Sequence, residues 1–503
     1  MDNSKTWALW LGLLVVGCDG LEPSQGDGSG DIQQTSDSDA TAVAAVNSAR
    51  KTFYVAKSGR DQGHDGSYGR PWRTIGYAVS AATPVRAGDT IIVRPGTYVE
   101  TITLGKSGNA GGHITLKAEG RGVVLKDPDP NNGHFKEGVI QSAGKAYWII
   151  EGFRIEKTSW AGISLRDARH MIVRNNHTYE TGASGIIIMP DSYFGGGEAE
   201  VTSSDIKILN NTIERANWLW AGVGDSRGVQ EAMSIWGVDR FEVAYNRLDQ
   251  GKREGIDVKV GSRHGSVHHN SVRGMAIKSG RRNGGYQGGP AIYIEGSRAS
   301  LFDVSVYANS VYDNTASGIV VADEIPNQGD VRDIRIYNNI IYNNGVLGEN
   351  AGMGIGITSN VSNVEVYHNT VAKNVNSIYV DGADYTRGRK PSNIVVTNNI
   401  FANHRYRAGI MRRTERLTVQ YNIFNTSREF PWENQSELTN FTQSNNLKTL
   451  DVRFKSLGGN DYRLNANSEG VNAATGSVPG YVRSDHSGRS RWSSPDMGAF
   501  ESH

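Results

Sequence analysis

IRIYNN at residues 334–339 returns as VEVYHN at 364–369 and as IVVTNN at 394–399, thirty residues apart each time. Each copy is an apolar-x-apolar strand, two further residues and an asparagine. Working outward, IVRNN, IKILNN, FEVAYN, GSVHHN, VSVYAN and LTVQYN keep the same beat. The series lands on Asn176, Asn211, Asn246, Asn270, Asn309, Asn339, Asn369, Asn399 and Asn422, in steps of 35, 35, 24, 39, 30, 30, 30 and 23 residues. A short constant unit with insertions of variable length is a solenoid whose loops grow on one side.

A second strand lies in each unit: AGISL, SGIII, AMSIW, EGIDVKV, PAIYIEG, SGIVVAD, MGIGITS and SIYVDG. Its period-two alternation of β-branched residues, such as Ile256 with Val258 or Ile292 with Ile294, buries one face of a strand. About 24 residues holding two or three such strands make one coil of a right-handed parallel β-helix, with coils about 4.8 Å apart. The fold class expected is therefore all-β: a single-stranded right-handed parallel β-helix with a short N-terminal capping helix. The recurring asparagine is expected to form an internal amide ladder at a left-handed bend, with Gly152 in the same slot one coil earlier. A leucine-rich horseshoe is excluded because LxxLxL is absent.

Composition agrees with this reading. Glycine supplies 61 of 503 residues and the net charge is only +1, so no global charge favours nucleic acid. Residues 1–17, with Lys5, the apolar run Trp7–Val16 and Gly17, read as a signal peptide too short to span a membrane. Val15-Val16-Gly17-Cys18 resembles a bacterial lipobox, which implies lipidation of Cys18 and a membrane anchor in the cell envelope; the alternative is an ordinary secretory signal with an incidental cysteine and a secreted protein. Cys18 is the sole cysteine, so disulfides and a downstream catalytic thiol are excluded. Residues 18–50 read as a flexible tether, and 51–503 as the β-helix domain, with its cap to about 100 and coils over about 101–430. Thr74 to Ala82 is expected to be the capping helix, with Ile75, Ala78, Val79 and Ala82 on one face. Asp61 and Asp65 read as turn residues, with calcium binding as the alternative.

The opening after the tether and the ending SRWSSPDMGAFE are similar to the terminal segments of bacterial extracellular β-helix proteins, among them pectate, alginate and chondroitin lyases. REGIDVKV resembles the catalytic coil of the alginate lyase and chondroitinase B family, where a glutamate calcium ligand precedes a lysine base by five residues. Glu254 and Lys259 have that spacing. The family's second glutamate is replaced here by Lys252, its asparagine ligand by Glu231 and Ser234, and its arginine has Arg281, Arg282 and Arg298 as nearest candidates.

With Ile256 and Val258 inward, Asp257 and Lys259 point outward. The same register gathers Glu231, Glu254, Asp257, Lys259, Tyr293 and Glu295 on the middle coils, flanked by Trp236. Insertions at 190–204, 278–289, 323–332 and 382–392 would wall this stripe into a polymer cleft. Cleaving a uronate chain by β-elimination requires loss of the proton beside a carboxylate, made acidic by a bound cation. The expected roles follow: Lys259 as base with Arg281 and Arg282 on the substrate carboxylates; Glu231, Glu254 and Asp257 on calcium; Trp236, Tyr293 and Glu295 on the sugar. An acidic polysaccharide is the expected partner, and the protein is expected to be a monomer. Two other readings stand beside the lyase. One is a hydrolase using paired carboxylates, Glu231 with Glu254 or Asp257 with Glu295. The other is a noncatalytic glycan binder using Trp236, Tyr293 and Tyr379. Residues 402–450 carry no assigned role.

Overall fold

Alternating apolar residues put three strands into each coil, and the coils stack in register. The computed structural model describes residues 50–131, 136–197, 199–218, 230–277, 289–323, 328–346, 352–358, 360–382, 389–432 and 437–502. Over Lys51–His503 these form one compact unit. Among the described residues, three parallel sheets of 15, 13 and 11 strands run along a parallel β-helix. Each coil passes from the 15-stranded sheet, around the asparagine bend, to the 13-stranded sheet and then to the 11-stranded sheet. The interior is a continuous aliphatic column, with rows such as Ile256, Ile292, Ile319 and Ile355 paired coil to coil and fully buried. Outward tyrosines report the coil spacing directly: the Tyr307–Tyr337 and Tyr312–Tyr342 rings stack at 4.8 and 4.9 Å.

The amide ladder is present, with two corrections. Asn270 shows the pattern: its Nδ2 donates to Asn309 Oδ1 at 3.0 Å and to Val243 O at 2.9 Å, while its Oδ1 accepts from Asn246 N at 2.9 Å. The ladder runs on to Asn446, which accepts from Asn422 at 3.0 Å, and a second ladder links Asn314, Asn344 and Asn374. The first correction concerns the left-handed residue, which precedes the ladder asparagine: Asn175, Asn210, Tyr245, His269 and Ala308 have φ near +55°. The ladder amide must turn inward to meet its neighbours, so the bend falls on the residue whose side chain points out. The second concerns Gly152. Glu151 pairs with Arg174, so Gly152 (φ 84°) matches Asn175, and Phe153 takes the ladder slot, its N–H donating to Asn176 Oδ1 at 3.0 Å.

At the N-terminal end the helix is one turn, Ile75–Ala78, capped by the Thr74 hydroxyl. Ile75, Ala78 and Val79 are buried. Ala82 is exposed, contrary to expectation, because the chain leaves the helix before reaching it. Asp61 accepts from the backbone of Arg73 and Thr74, and Asp65 from Ser67, which are turn and cap roles. Within 402–450 the chain adds the strands Arg407–Arg412, Thr414–Gln420 and Ile423–Asn425, each pairing onto the preceding coil.

Candidate functional site

The 11-stranded sheet carries the candidate site, in the register the sequence implied. Asp257 pairs with Ser234 and Tyr293, and Lys259 with Trp236 and Glu295. Lys259 Nζ donates to Glu231 Oε1 at 2.6 Å and lies 3.1 Å from Asp257 Oδ2. The Ser234 hydroxyl donates to Glu231 Oε2 at 2.7 Å. Glu254 Oε1 accepts from the Gly289 N–H. The structure thus brings Glu231, Asp257 and Lys259 into direct contact, with Glu295 on the next coil.

An outward direction does not mean exposure here. Lys259 is 7 % exposed and Asp257 2 %, and Glu231, Glu254 and Glu295 are also buried. The outward stripe is therefore a buried ionic cluster. Trp236, expected beside the stripe as a sugar contact, is only 3 % exposed and packs with Trp160, Ile187 and Met189. Its ring meets Tyr193 edge-on at 4.5 Å and lies 4.7 Å beneath Lys259 Nζ. The 190–204 insertion, which supplies Tyr193, covers this side chain, so Trp236 fixes the lysine instead of presenting a sugar platform. Tyr379 is likewise buried, and its hydroxyl donates to Asp381 Oδ2 at 2.6 Å. Tyr293 lies half-buried on the strand Ile292–Gly296.

Burial and charge set the protonation states together. For Lys259, burial favours the neutral amine, but Asp257, Glu231 and Glu295 outweigh it and hold the ammonium well above its ordinary pKa. Burial alone would raise Glu231, yet the Lys259 charge and hydrogen bond hold its carboxyl below the usual range. Asp257 goes the other way: burial raises it, Glu231 and Glu254 add to the rise, and Lys259 offsets only part. Within one cluster, the lysine thus holds Glu231 down while burial and neighbouring charge push Asp257 up.

Two buried oxygens, Asp257 Oδ1 and Glu254 Oε2, have no hydrogen-bond partner among the described residues. Glu254 Oε2 does lie 3.4 Å from Arg253 Nε, so among the described residues Asp257 Oδ1 is the hard oxygen of this pair left for a cation. Among the described residues, however, no three acidic or histidine side chains are already gathered to ligand distance. Arg281 and Arg282 lie outside the described residues, as does Cys18. Arg298 is described, with its guanidinium 6.0 Å from the Trp236 ring centre.

The sequence reading missed a second buried cluster on the same sheet. Asp381 accepts from Arg412 Nε at 2.9 Å and from Arg413 Nε and Nη2 at 2.7 Å. Asp381 was visible in SIYVDG, but its arginines sit in the irregular segment after Ala402, where no repeat marked the register. Among the described residues, no helix is long and apolar enough to cross a membrane.

Comparison with known proteins agrees with the architecture. Residues 137–323 match the family model described as right handed beta helix region. The chain is 26% identical over 289 residues to the uncharacterized protein YwoF of Bacillus subtilis (strain 168), covering 52% of this chain and 56% of that one. It is 26% identical over 169 residues to pectate lyase L of Dickeya chrysanthemi, covering 31% and 37% respectively. The match therefore spans about half the length of the first relative and little more than a third of the second. Among solved structures, a complex of XylC with xylose aligns with a TM-score of 0.49 at 13% identity, covering 80% of this chain and 87% of the other. The fold is a right-handed parallel β-helix, and a pectate lyase is among the proteins the chain resembles in sequence.

Proposed function

We propose that the protein acts outside the cytoplasm on an acidic, uronate-containing polysaccharide and cleaves it by β-elimination at the Lys259 cluster, with calcium as cofactor. The observation that carries this reading is a buried lysine held between two carboxylates at the centre of one continuous sheet, with more acid than base around it. The partial similarity to pectate lyase L supports the same substrate class.

Elimination needs a base for the proton beside the sugar carboxylate and an acid for the departing oxygen. Lys259 serves as base only after losing its own proton, and Glu231 Oε1, 2.6 Å away, is placed to receive it. Having taken the sugar proton, Lys259 is again an ammonium and can return a proton to the leaving oxygen as the carbon–oxygen bond breaks and the double bond forms. Asp257 and Glu254 would hold the calcium ion, which when bound would supply a positive charge that acidifies the carbon beside the substrate carboxylate and offsets the field keeping Lys259 charged. Anchoring through a lipidated Cys18 would keep the enzyme at the cell envelope.

A second reading has its own observation. Glu231, whose pKa is held down, and Asp257, whose pKa is pushed up, contact one nitrogen and form a carboxylate pair with separated pKa values, the arrangement that hydrolysis of a glycoside uses. The purified tether-free protein should be incubated with pectate, alginate and chondroitin, with and without a calcium chelator. Unsaturated, ultraviolet-absorbing products lost on chelation support the lyase. New reducing ends without that absorbance support the hydrolase. Retention of polymer without any cleavage overturns both and leaves a binding protein.

A further inference from the structure

The C-terminal residues after the last coil fold back along the helix. They pack at the corner between the 15- and 13-stranded sheets, which is opposite the 11-stranded sheet. Tyr481 Oη donates to Glu365 Oε2 at 2.5 Å, Thr475 N to Asn398 Oδ1 at 3.0 Å, and Arg491 Nη2 to Asn338 Oδ1 at 2.7 Å. Arg491 also bonds Glu501 at 2.6 Å, and the pair is almost fully buried. The segment is thus a fixed frame rather than a loose tail.

This frame encloses an open cleft of about 470 Å³, lined by Val478, Val482, Arg483, Ser490, Trp492 and Pro495 among others. Trp492 is 59 % exposed, which is unusual for an indole in a chain that buries Trp72, Trp148, Trp160 and Trp236. Arg483 is exposed, and its guanidinium makes no ion pair or hydrogen bond with any described residue. The nearby acids are committed elsewhere. Asp485 accepts from the backbone of Ser487, Arg489 and Glu501, and Glu501 holds Arg491. A guanidinium with no ion pair or hydrogen bond among the described residues therefore shares one cleft with an exposed indole.

We infer that this cleft is a second glycan site, taking an acidic sugar residue whose carboxylate pairs with Arg483 and whose apolar ring face lies against Trp492. The chemistry matches on three counts. A guanidinium recognises a carboxylate with two parallel hydrogen bonds. An indole offers a large apolar face with a polar edge, suited to a sugar ring. The volume lies at the size of a small ligand site, and a frame already fixed by hydrogen bonds loses little entropy on binding. The site is independent of the Lys259 cluster, lying on the other side of the coil, and would hold polymer whether or not that cluster cleaves it.

The test uses the full soluble chain and methyl galacturonoside and methyl glucuronoside, which have no second sugar to be cleaved, with methyl galactoside as the neutral control. Ligand-observed NMR titration reads binding. The expected result is binding of the acidic glycosides at least about tenfold tighter than the neutral one. Trp492→Ala and Arg483→Gln should each weaken it at least about fivefold. Both side chains are exposed, so both variants should keep the wild-type circular dichroism. Affinity unchanged in both variants overturns the site, and equal binding of methyl galactoside overturns the acidic class. Loss of polysaccharide cleavage in Lys259 variants, with this titration intact, would separate the two sites.

Discussion

Replacing Lys259 by methionine removes the ammonium while keeping most of the stem that lies over Trp236. On a solvated surface this change would cost no more than about 1 kcal/mol. Here the ammonium is 2.6 Å from Glu231 and 3.1 Å from Asp257, and all three side chains are buried. Removing one partner of a buried ion pair leaves uncompensated charge and costs about 3–5 kcal/mol. The pH dependence carries a definite sign. In the wild type the carboxyl of Glu231 lies below its ordinary range, so its contribution to stability is present above that range and is lost as the pH falls through the folded value. Without the lysine, burial dominates at both carboxylates and raises their pKa values. The folded variant then prefers the protonated acids, so its deficit is small near pH 4 and grows toward neutrality, over roughly pH 4 to 8. Urea denaturation of both proteins across that range, followed by circular dichroism, measures the gap. A second change, Glu231→Gln, should recover part of the loss at neutral pH. A deficit below about 1 kcal/mol at pH 7, or one that does not vary with pH, would refute the buried cluster.

Three further outcomes are expected. Asn270→Ala should destabilise the protein by about 2–4 kcal/mol, because it strips bonds from Asn246, Asn309 and the Val243 carbonyl inside the coil; chemical denaturation checks this, and a neutral result would mean the amide ladder is dispensable. His368 is buried against Asn398, and burial, reinforced by the Arg491 charge, holds its pKa well below the ordinary value of 6.5. It therefore supports stability above that value and withdraws it as the pH falls, so His368→Gln should flatten the thermal-stability profile on the acid side; an unchanged slope would show that the ring titrates freely. If calcium assists cleavage, Glu254→Gln should raise the calcium needed for half-maximal activity at least about tenfold, measured as product absorbance against free calcium, whereas an unchanged calcium requirement would remove Glu254 from the ligand set.

Local pattern determined much of this protein. The recurring Asn176 to Asn422 series and the alternation in strands such as Ile256–Lys259 implied stacked parallel coils, because a unit repeated along the chain buries its apolar face by stacking like positions on the next copy. The same alternation places Asp257, Lys259, Tyr293 and Glu295 on one outward stripe, and the observed pairings agree. Spacing alone misassigned Gly152, since the coil there is one residue shorter than the asparagine count assumed. What pattern could not carry was depth. An outward side chain is exposed or buried according to what an insertion lays over it, and Tyr193, more than forty residues before Trp236, helps decide that for the lysine beneath which Trp236 sits. Partnership was equally hidden: Asp381 with Arg412 and Arg413, and the C-terminal segment on Asn338 and Asn398, join residues about 30 to 150 positions apart. Periodicity is a property of neighbouring residues, so it determined the coil; burial and charge pairing depend on distant segments meeting, and only the tertiary structure brought those together.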